Sequence, residues 1–488
     1  MNKEIRRLGI GLIVLFVALF LQLNYLQVVD AKRLQHDPRN TRTAVHDFSR
    51  PRGDIISADG TVLAKSVPTS DSLQRLREYP PATAALFAQV TGFFSFTYGT
   101  EGVERTYNAD LAGKTAKLKL NRLVDILRDR TRTANVTLSL PVSVQKTAAD
   151  ALGKRKGAVV ALDPRTGAVL ALWSFPSYDP NPLSAHDQKA VQNARSLLLV
   201  DPAKPLLPRA YRERYFPGST FKVVTSAAAL QNGITPDSPS YPTLRELKLP
   251  QTTRTLHNFG NEACGGPLRA ALKVSCNTTF AKIGLDLGAD KLSAAADAFG
   301  FGDVPPIDLP FGARSVFPPA AAFAHDLPGV AQSAIGQRDV AATPLEMALV
   351  AAGIANNGVI MQPYVMNEVR DSDGNIVRKA KPRPWRTAVP PAVASTLRDL
   401  MVGVVNGGTA TAIATPGVQV AAKTGTAQTG TGTSHAWIIG FAPADAPRIA
   451  VAVIVEAQPG ASEATGGRVA APIAKAVLQA ALSLPGAS

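Results

Sequence analysis

Hydrophobic and polar positions follow three regimes along this chain. From Leu8 to Leu21 every residue is apolar or glycine, behind a start that carries Lys3, Arg6 and Arg7. Leu23, Leu26, Val28 and Val29 continue the pattern, so residues 8–29 supply the roughly 20 residues that a membrane-spanning helix needs. No small-x-small cleavage signal follows, so the segment reads as an uncleaved anchor. The basic flank then makes residues 1–7 a cytoplasmic tail and puts everything past residue 30 on the extracytoplasmic side of the cell membrane. The polar, charged stretch 30–49 reads as a stalk. No other segment of spanning length lacks charges, which predicts a single pass.

Beyond the stalk the apolar runs shorten. Residues 50–140 mix short helical and strand-like pieces around the turn Asp59-Gly60, and they predict a small N-terminal pedestal domain. A larger module spans 141–488. It opens with a helical stretch to about Leu152 and a hairpin, Gly157 to Leu162 and Ala168 to Trp173, joined by a turn that places Pro164 and Gly167. The same design returns near the end in Ala436 to Phe441 and Arg448 to Val455, followed by helical spacing from Ala471 to Leu482. Helical patterns at 219–231, 266–274, 278–287, 344–356 and 391–404 lie between. Strands at both ends with helices between them predict an α+β fold, an antiparallel sheet flanked by helices. Asp371 to Gly374 reads as the tip of a surface hairpin.

Composition narrows the chemistry. With 488 residues, 45% of them hydrophobic and 18% charged, the chain is neither disordered nor a disulfide scaffold. A net charge of +15 suits anionic partners such as lipid headgroups or wall polymers. Nucleic acid is set aside, because the basic residues are dispersed on an exported chain without a recognisable binding motif. Two cysteines and six histidines form no C-x-x-C, H-E-x-x-H or other metal-ligand spacing, so neither metal nor cofactor is expected. Cys264 and Cys276 form a disulfide or stay as two buried thiols; both remain open.

Three short motifs carry the candidate chemistry. Pro217-Gly218 breaks the chain, and Ser219 then opens an apolar helical run with Lys222 one turn deeper on the same face. Ser219 alone would be an N-cap. A lysine withdrawn from water loses its proton more readily, so the pair reads as an activated nucleophile and its base. The same spacing at Ser143 and Lys146 reads as a solvated helix face. Ser275 and Asn277, on a short extended loop, point one way and Cys276 the other. This gives a hydroxyl to relay a proton and an amide to hold a carbonyl, unless the pair merely caps the helix that follows. Lys423, Thr424, Gly425 and Thr426 sit on a strand, where cation and hydroxyls suit a carboxylate and Gly425 admits a close backbone.

Taken in order, Ser219-x-x-Lys222, Ser275-x-Asn277 and Lys423-Thr-Gly425 resemble the active-site set of penicillin-binding proteins and serine β-lactamases. Arg50 to Gly53 with Asp59-Gly60, Gly102-x-Glu104 with Tyr107-Asn108, Pro176 to Asn181, Gly336-Gln337, Thr343-Pro344 and Ala436 to Phe441 are similar to further stretches of the class B penicillin-binding proteins. Cys276 stands where β-lactamases carry Asp, which favours a transpeptidase. The resemblance implies a β-lactamase/transpeptidase-like catalytic domain at 141–488 and a dimerisation-type pedestal at 50–140. It implies a peptidoglycan D,D-transpeptidase with a D-Ala-D-Ala stem peptide as donor, an amine on a second stem peptide as acceptor, and β-lactams as covalent inhibitors.

The implied roles are Ser219 as nucleophile, Lys222 as base, Ser275 as proton relay, and the backbone N–H groups of Ser219 and Thr426 as oxyanion hole. Asn277, Lys423, Thr424, Gly425 and Thr426 would bind substrate. With no glycosyltransferase module in the chain, a membrane glycan polymerase is the expected partner. Two other readings stand beside this one. A D,D-carboxypeptidase or β-lactamase-like hydrolase fits the motifs but not the anchor and pedestal. A non-catalytic β-lactam sensor or cell-wall scaffold would have only about six residues before the anchor with which to signal.

Overall fold

The structure is a computed structural model that describes residues 2–29, 45, 47–115, 133–428, 432–459 and 466–484. Most of the predicted stalk at 30–49 lies outside the described residues. The chain forms two compact units, residues 1–51 with 67–76 and residues 52–66 with 77–488. In the first, α1 (Asn2–Asn24) continues into one wider turn at Tyr25–Val29. Residues Lys3–Val29 have a mean hydropathy of 2.2 over their most apolar window, with nothing packed on them, so length and composition suffice to cross a bilayer. At 1.5 Å per residue the helix spans roughly 40 Å.

Ten strands carry the second unit's architecture. They are β1 (Ile55–Ile56), β2 (Val62–Pro68), β3 (Ala134–Leu138), β4 (Gly157–Leu162), β5 (Val169–Phe175), β6 (Met366–Asp371), β7 (Ile376–Lys379), β8 (Ala421–Gln428), β9 (Thr433–Ala442) and β10 (Ile449–Pro459). Strand β1 pairs antiparallel with β2 and parallel with β3, and β3 pairs antiparallel with β6. Hairpin β6–β7, read from the sequence as a surface hairpin within the larger module, thus extends the sheet begun by residues 55–138.

Two of the blocks singled out in the sequence converge beside that sheet. Arg52 Nε donates to Glu104 Oε2 at 2.7 Å, Arg52 Nη1 to Asn108 Oδ1 at 2.7 Å, and Arg77 Nε to Glu104 Oε1 at 2.6 Å. Burial raises the Glu104 carboxyl, but the two guanidinium groups outweigh it and hold the group below its ordinary value.

The second sheet, of five strands, runs β8-β9-β10-β4-β5, antiparallel throughout. Its middle strands come from opposite ends of the module, since β10 pairs with β4 from Ala450↔Leu162 to Val455↔Gly157. Strand β4 is buried at every position, as its unbroken apolar run requires of a strand covered on both faces. Helices α2 (Val142–Leu152), α3 (Lys222–Gln231), α4 (Leu268–Val274), α5 (Asn277–Ala298), α6 (Pro344–Ala355), α7 (Pro391–Val405) and α8 (Ala471–Leu482) fill the predicted helical windows. Helix α5 runs past its predicted end at 287, across a break in helical geometry at Gly288. Ser143 and Lys146 lie on α2, both exposed, with Lys146 paired to Asp150.

Helix α6 is apolar all round and buried along its whole length, with Thr343 as N-cap and Pro344 as first residue. It carries one anomaly, Glu346. Burial pushes the carboxyl up to about 8, more than the Arg386 guanidinium and the Ser315 hydroxyl pull it down. Below the ordinary glutamate value near 4.5, folded and unfolded chains both hold this proton. Between there and pH 8 unfolding releases it, so stability falls as pH rises through that window. Glu346→Gln should therefore stabilise the fold at pH 8 by on the order of 3 kcal/mol and leave it unchanged at pH 4.5. Urea unfolding at the two pH values tests this; an equal shift at both would contradict it.

Candidate active site

The site forms where the edge strand β8 meets the serine turn before α3 and the corner between α4 and α5. Gly218 takes φ +52, a left-handed conformation that a glycine tolerates, and opens a tight 3-10 turn, Gly218–Phe221, that runs into α3. The turn is pinned from two sides. Gly218 N–H donates to Gly336 O at 2.9 Å, and a Cβ on Gly336 would sit 2.2 Å from Gly218 O. A Cβ on Gly425 of β8 would sit 3.0 Å from both Pro217 O and Thr220 N. Gly425 therefore lets this chain's own serine turn pack on the strand, a different need from the substrate approach inferred from sequence. The far side of Gly425 is as crowded, because a Cβ on Gly466 would meet Gly425 O at 2.6 Å.

Ser219 is buried but for 3% of its surface and Lys222, one turn on, is wholly buried. Lys222 Nζ donates to Ser275 O at 2.7 Å, to Ser275 Oγ at 3.2 Å and to Asn277 Oδ1 at 2.6 Å. Lys423, also wholly buried, donates from Nζ to Ser275 Oγ at 2.8 Å and to Thr424 O at 2.8 Å. The Ser275 hydroxyl thus bridges two amines contributed by α3 and β8. Thr424 Oγ1 lies 2.6 Å from Thr409 Oγ1.

The Ser275 segment departs from the extended loop read in the sequence. Ser275 has φ +61 and closes α4 in a left-handed cap, while Asn277 is the first residue of α5. Two helices separated by only two residues force this corner, and neither Ser275 nor Asn277 caps α5, since Cys276 holds that position. The alternation of sides survives the change. Ser275 and Asn277 both face Lys222, and Cys276 points back to form a disulfide with Cys264, Sγ to Sγ 2.13 Å.

Ser219, Asn277, Thr426 and Gln428 line one cleft of about 470 Å³ together with Gln337 and the segment Thr255–Gly260. Strand β8 forms one wall and, among the described residues, is the edge of its sheet, paired with β9. Lys222, Ser275 and Lys423 lie behind the wall, so substrate would touch Ser219 and Thr426 while the amines work through Ser275. His257, Phe259 and Asn258 are cleft residues that motif reading missed; they lie between motifs, and only the folding of 241–266 over the cleft reveals them.

A buried serine one turn before a buried lysine, a hydroxyl bridging that lysine to a second, and a Lys-Thr-Gly edge strand define the class of penicillin-recognising serine acyltransferases. The family model for the penicillin binding protein transpeptidase domain matches residues 157–479, and that for the penicillin binding protein A dimerisation domain matches 52–136. The chain belongs to the penicillin-binding protein transpeptidase family. It is 45% identical to the peptidoglycan D,D-transpeptidase PbpA of Mycolicibacterium smegmatis and 42% identical to that of Mycobacterium tuberculosis, each alignment covering 99% of both chains. Its fold is similar to solved penicillin-binding protein A of M. tuberculosis as a ceftriaxone acyl-enzyme, with a TM-score of 0.83 and 41% identity over 90% of this chain and all of that one. The M. tuberculosis penicillin G acyl-enzyme matches with a TM-score of 0.81.

Proposed function

We propose that this chain is a peptidoglycan D,D-transpeptidase that works through an acyl-enzyme on Ser219. The observation that carries the reading is the Ser275 hydroxyl held between Lys222 at 3.2 Å and Lys423 at 2.8 Å beside the serine turn. The full-length likeness to PbpA proteins and to a β-lactam acyl-enzyme supports it.

Lys222 takes the Ser219 proton, and the alkoxide attacks the carbonyl of the penultimate D-Ala of a stem peptide. Backbone N–H groups of Ser219 and Thr426 hold the oxyanion, each contributing about 3 to 4 kcal/mol in comparable sites. The C–N bond breaks, and the proton passes from Lys222 through Ser275 to the departing D-Ala amine. Thr426 faces the carboxylate of that D-Ala, with Lys423 and Thr424 behind it in the strand, and Asn277 faces the peptide amide. The amine of a second stem peptide then attacks the acyl carbon and loses a proton to Lys222, which restores Ser219 and closes a cross-link. A β-lactam follows the same path to the acyl stage and remains there.

In this reading residues 8–29 anchor the protein, 30–49 are a stalk, 50–140 a pedestal and 141–488 the catalytic domain. The basic start stays in the cytoplasm, the catalytic domain works outside, and a membrane glycan polymerase supplies the strands to be joined. Intact mass of the full chain after benzylpenicillin should rise by one drug molecule, mapping to the peptide that holds Ser219. With a stem-peptide donor and an added amine, a cross-linked product is expected. Release of D-Ala with only the hydrolysed donor would instead make this a carboxypeptidase.

A further inference from the structure

Asn258 takes no part in the chemistry above, yet it is the knot that ties the cleft roof to the Ser275 segment. It is 94% buried, at 6% exposure. Its Nδ2 donates to Leu244 O at 2.7 Å and to Glu262 O at 3.1 Å, gathering two separate parts of the 241–266 segment. Its Oδ1 accepts from Thr278 N–H at 2.9 Å, one of the first backbone donors of α5. Helix α5 has no side-chain cap from its own N-cap residue, Cys276, so Asn258 supplies from a distance what a capping side chain normally supplies locally. Next to it, His257 O accepts from Asn277 Nδ2 at 3.2 Å.

We infer that Asn258 is a positioning residue for the reaction: it holds the first turn of α5, and with it Asn277 and Ser275, at the distances Lys222 requires. Each amide atom of Asn258 is spent on this task, and no apolar residue of similar size could replace the two donors and one acceptor without leaving buried backbone groups unpaired. The Cys264–Cys276 disulfide ties the same two segments by a second route, so the fold should survive loss of Asn258 while the corner loosens. The inference rests on the transpeptidase reading and goes beyond it.

The test is acylation of the full chain by a fluorescent penicillin, resolved into the maximal rate and the half-saturating concentration. For Asn258→Ala the maximal rate should fall roughly 10- to 100-fold, the cost of a displacement near 1 Å at a reacting centre. The half-saturating concentration should change far less, because Ser219, Thr426 and Gln428 still line the cleft. Asn258→Asp keeps an acceptor for Thr278 N–H, and when protonated one donor, so it should lie between the alanine variant and the unaltered chain and improve as pH is lowered. A purely structural role would lower the fraction of labelling-competent protein and leave the maximal rate of that fraction unchanged; this result would overturn the inference. Should the alanine variant fail to fold, the aspartate variant decides by the same split. No adduct on the unaltered chain would sink the transpeptidase reading itself, whereas adducts on unaltered and variant chains at equal maximal rates would sink this inference alone.

Discussion

A Ser219→Ala chain exposed to a fluorescent penicillin stays unlabelled, while its melting temperature remains close to that of the unaltered protein. Ser219 is the cleft hydroxyl at the mouth of the 3-10 turn, with Lys222 one turn behind it. Ser275 Oγ lies between two amines and Thr424 Oγ1 against Thr409, while Thr426, which shares the cleft, is on strand β8 with no lysine one helical turn behind it. None can replace the missing nucleophile. Loss of a nucleophile in a serine acyl-transfer site costs on the order of 10⁶-fold, so labelling should drop below detection. The variant should still bind the drug reversibly, since the edge strand is untouched. A penicillin adduct that survives on the alanine variant would move the nucleophile to another residue and with it the whole assignment.

Lys222→Ala should retain the nucleophile and lose its activation. General-base assistance is worth about 10² to 10⁴-fold, and acylation at neutral pH should slow by that factor. The residual rate should climb with pH as solvent base takes over. Part of the loss will come from geometry, because Lys222 Nζ is also the donor that satisfies Ser275 O and Asn277 Oδ1. Lys222→Arg separates the two contributions: it keeps a cation and donors but no readily removable proton, so it should remain slow. Acylation within threefold of the unaltered rate at pH 7 in either variant would assign the base elsewhere.

How much of this was legible beforehand follows from the range of the forces involved. Strand β4 was read to the residue, and the windows for α2, α3, α6, α7 and α8 came within a few residues of their observed limits, because local periodicity and Pro, Gly and Thr punctuation suffice there. The sheet order was not readable. That β10 lies beside β4, or that β6 joins β3, depends on pairings between residues hundreds of positions apart. The site divides in the same way. Three motifs announced their chemistry through residue type and spacing, and the opposite orientation of Cys276 followed from alternation. The left-handed Ser275 and the remote cap by Asn258 did not, since both arise from how α4, α5 and the 241–266 segment crowd one corner. The cysteine pairing was undecidable from a separation of 12 residues, which suits a bond or two packed thiols equally.

Among the described residues strand β8 ends its sheet, and at Thr426 and Gln428 it lines the cleft, where the main chain of an edge strand can receive an added one. A mutation exchanges side chains; it cannot delete a peptide group. Resistance to an inhibitor that imitates an added strand must therefore be won indirectly, by tilting the strand, narrowing its approach or slowing the serine. Compounds that draw most of their grip from main-chain contacts leave evolution the fewest single-step escapes.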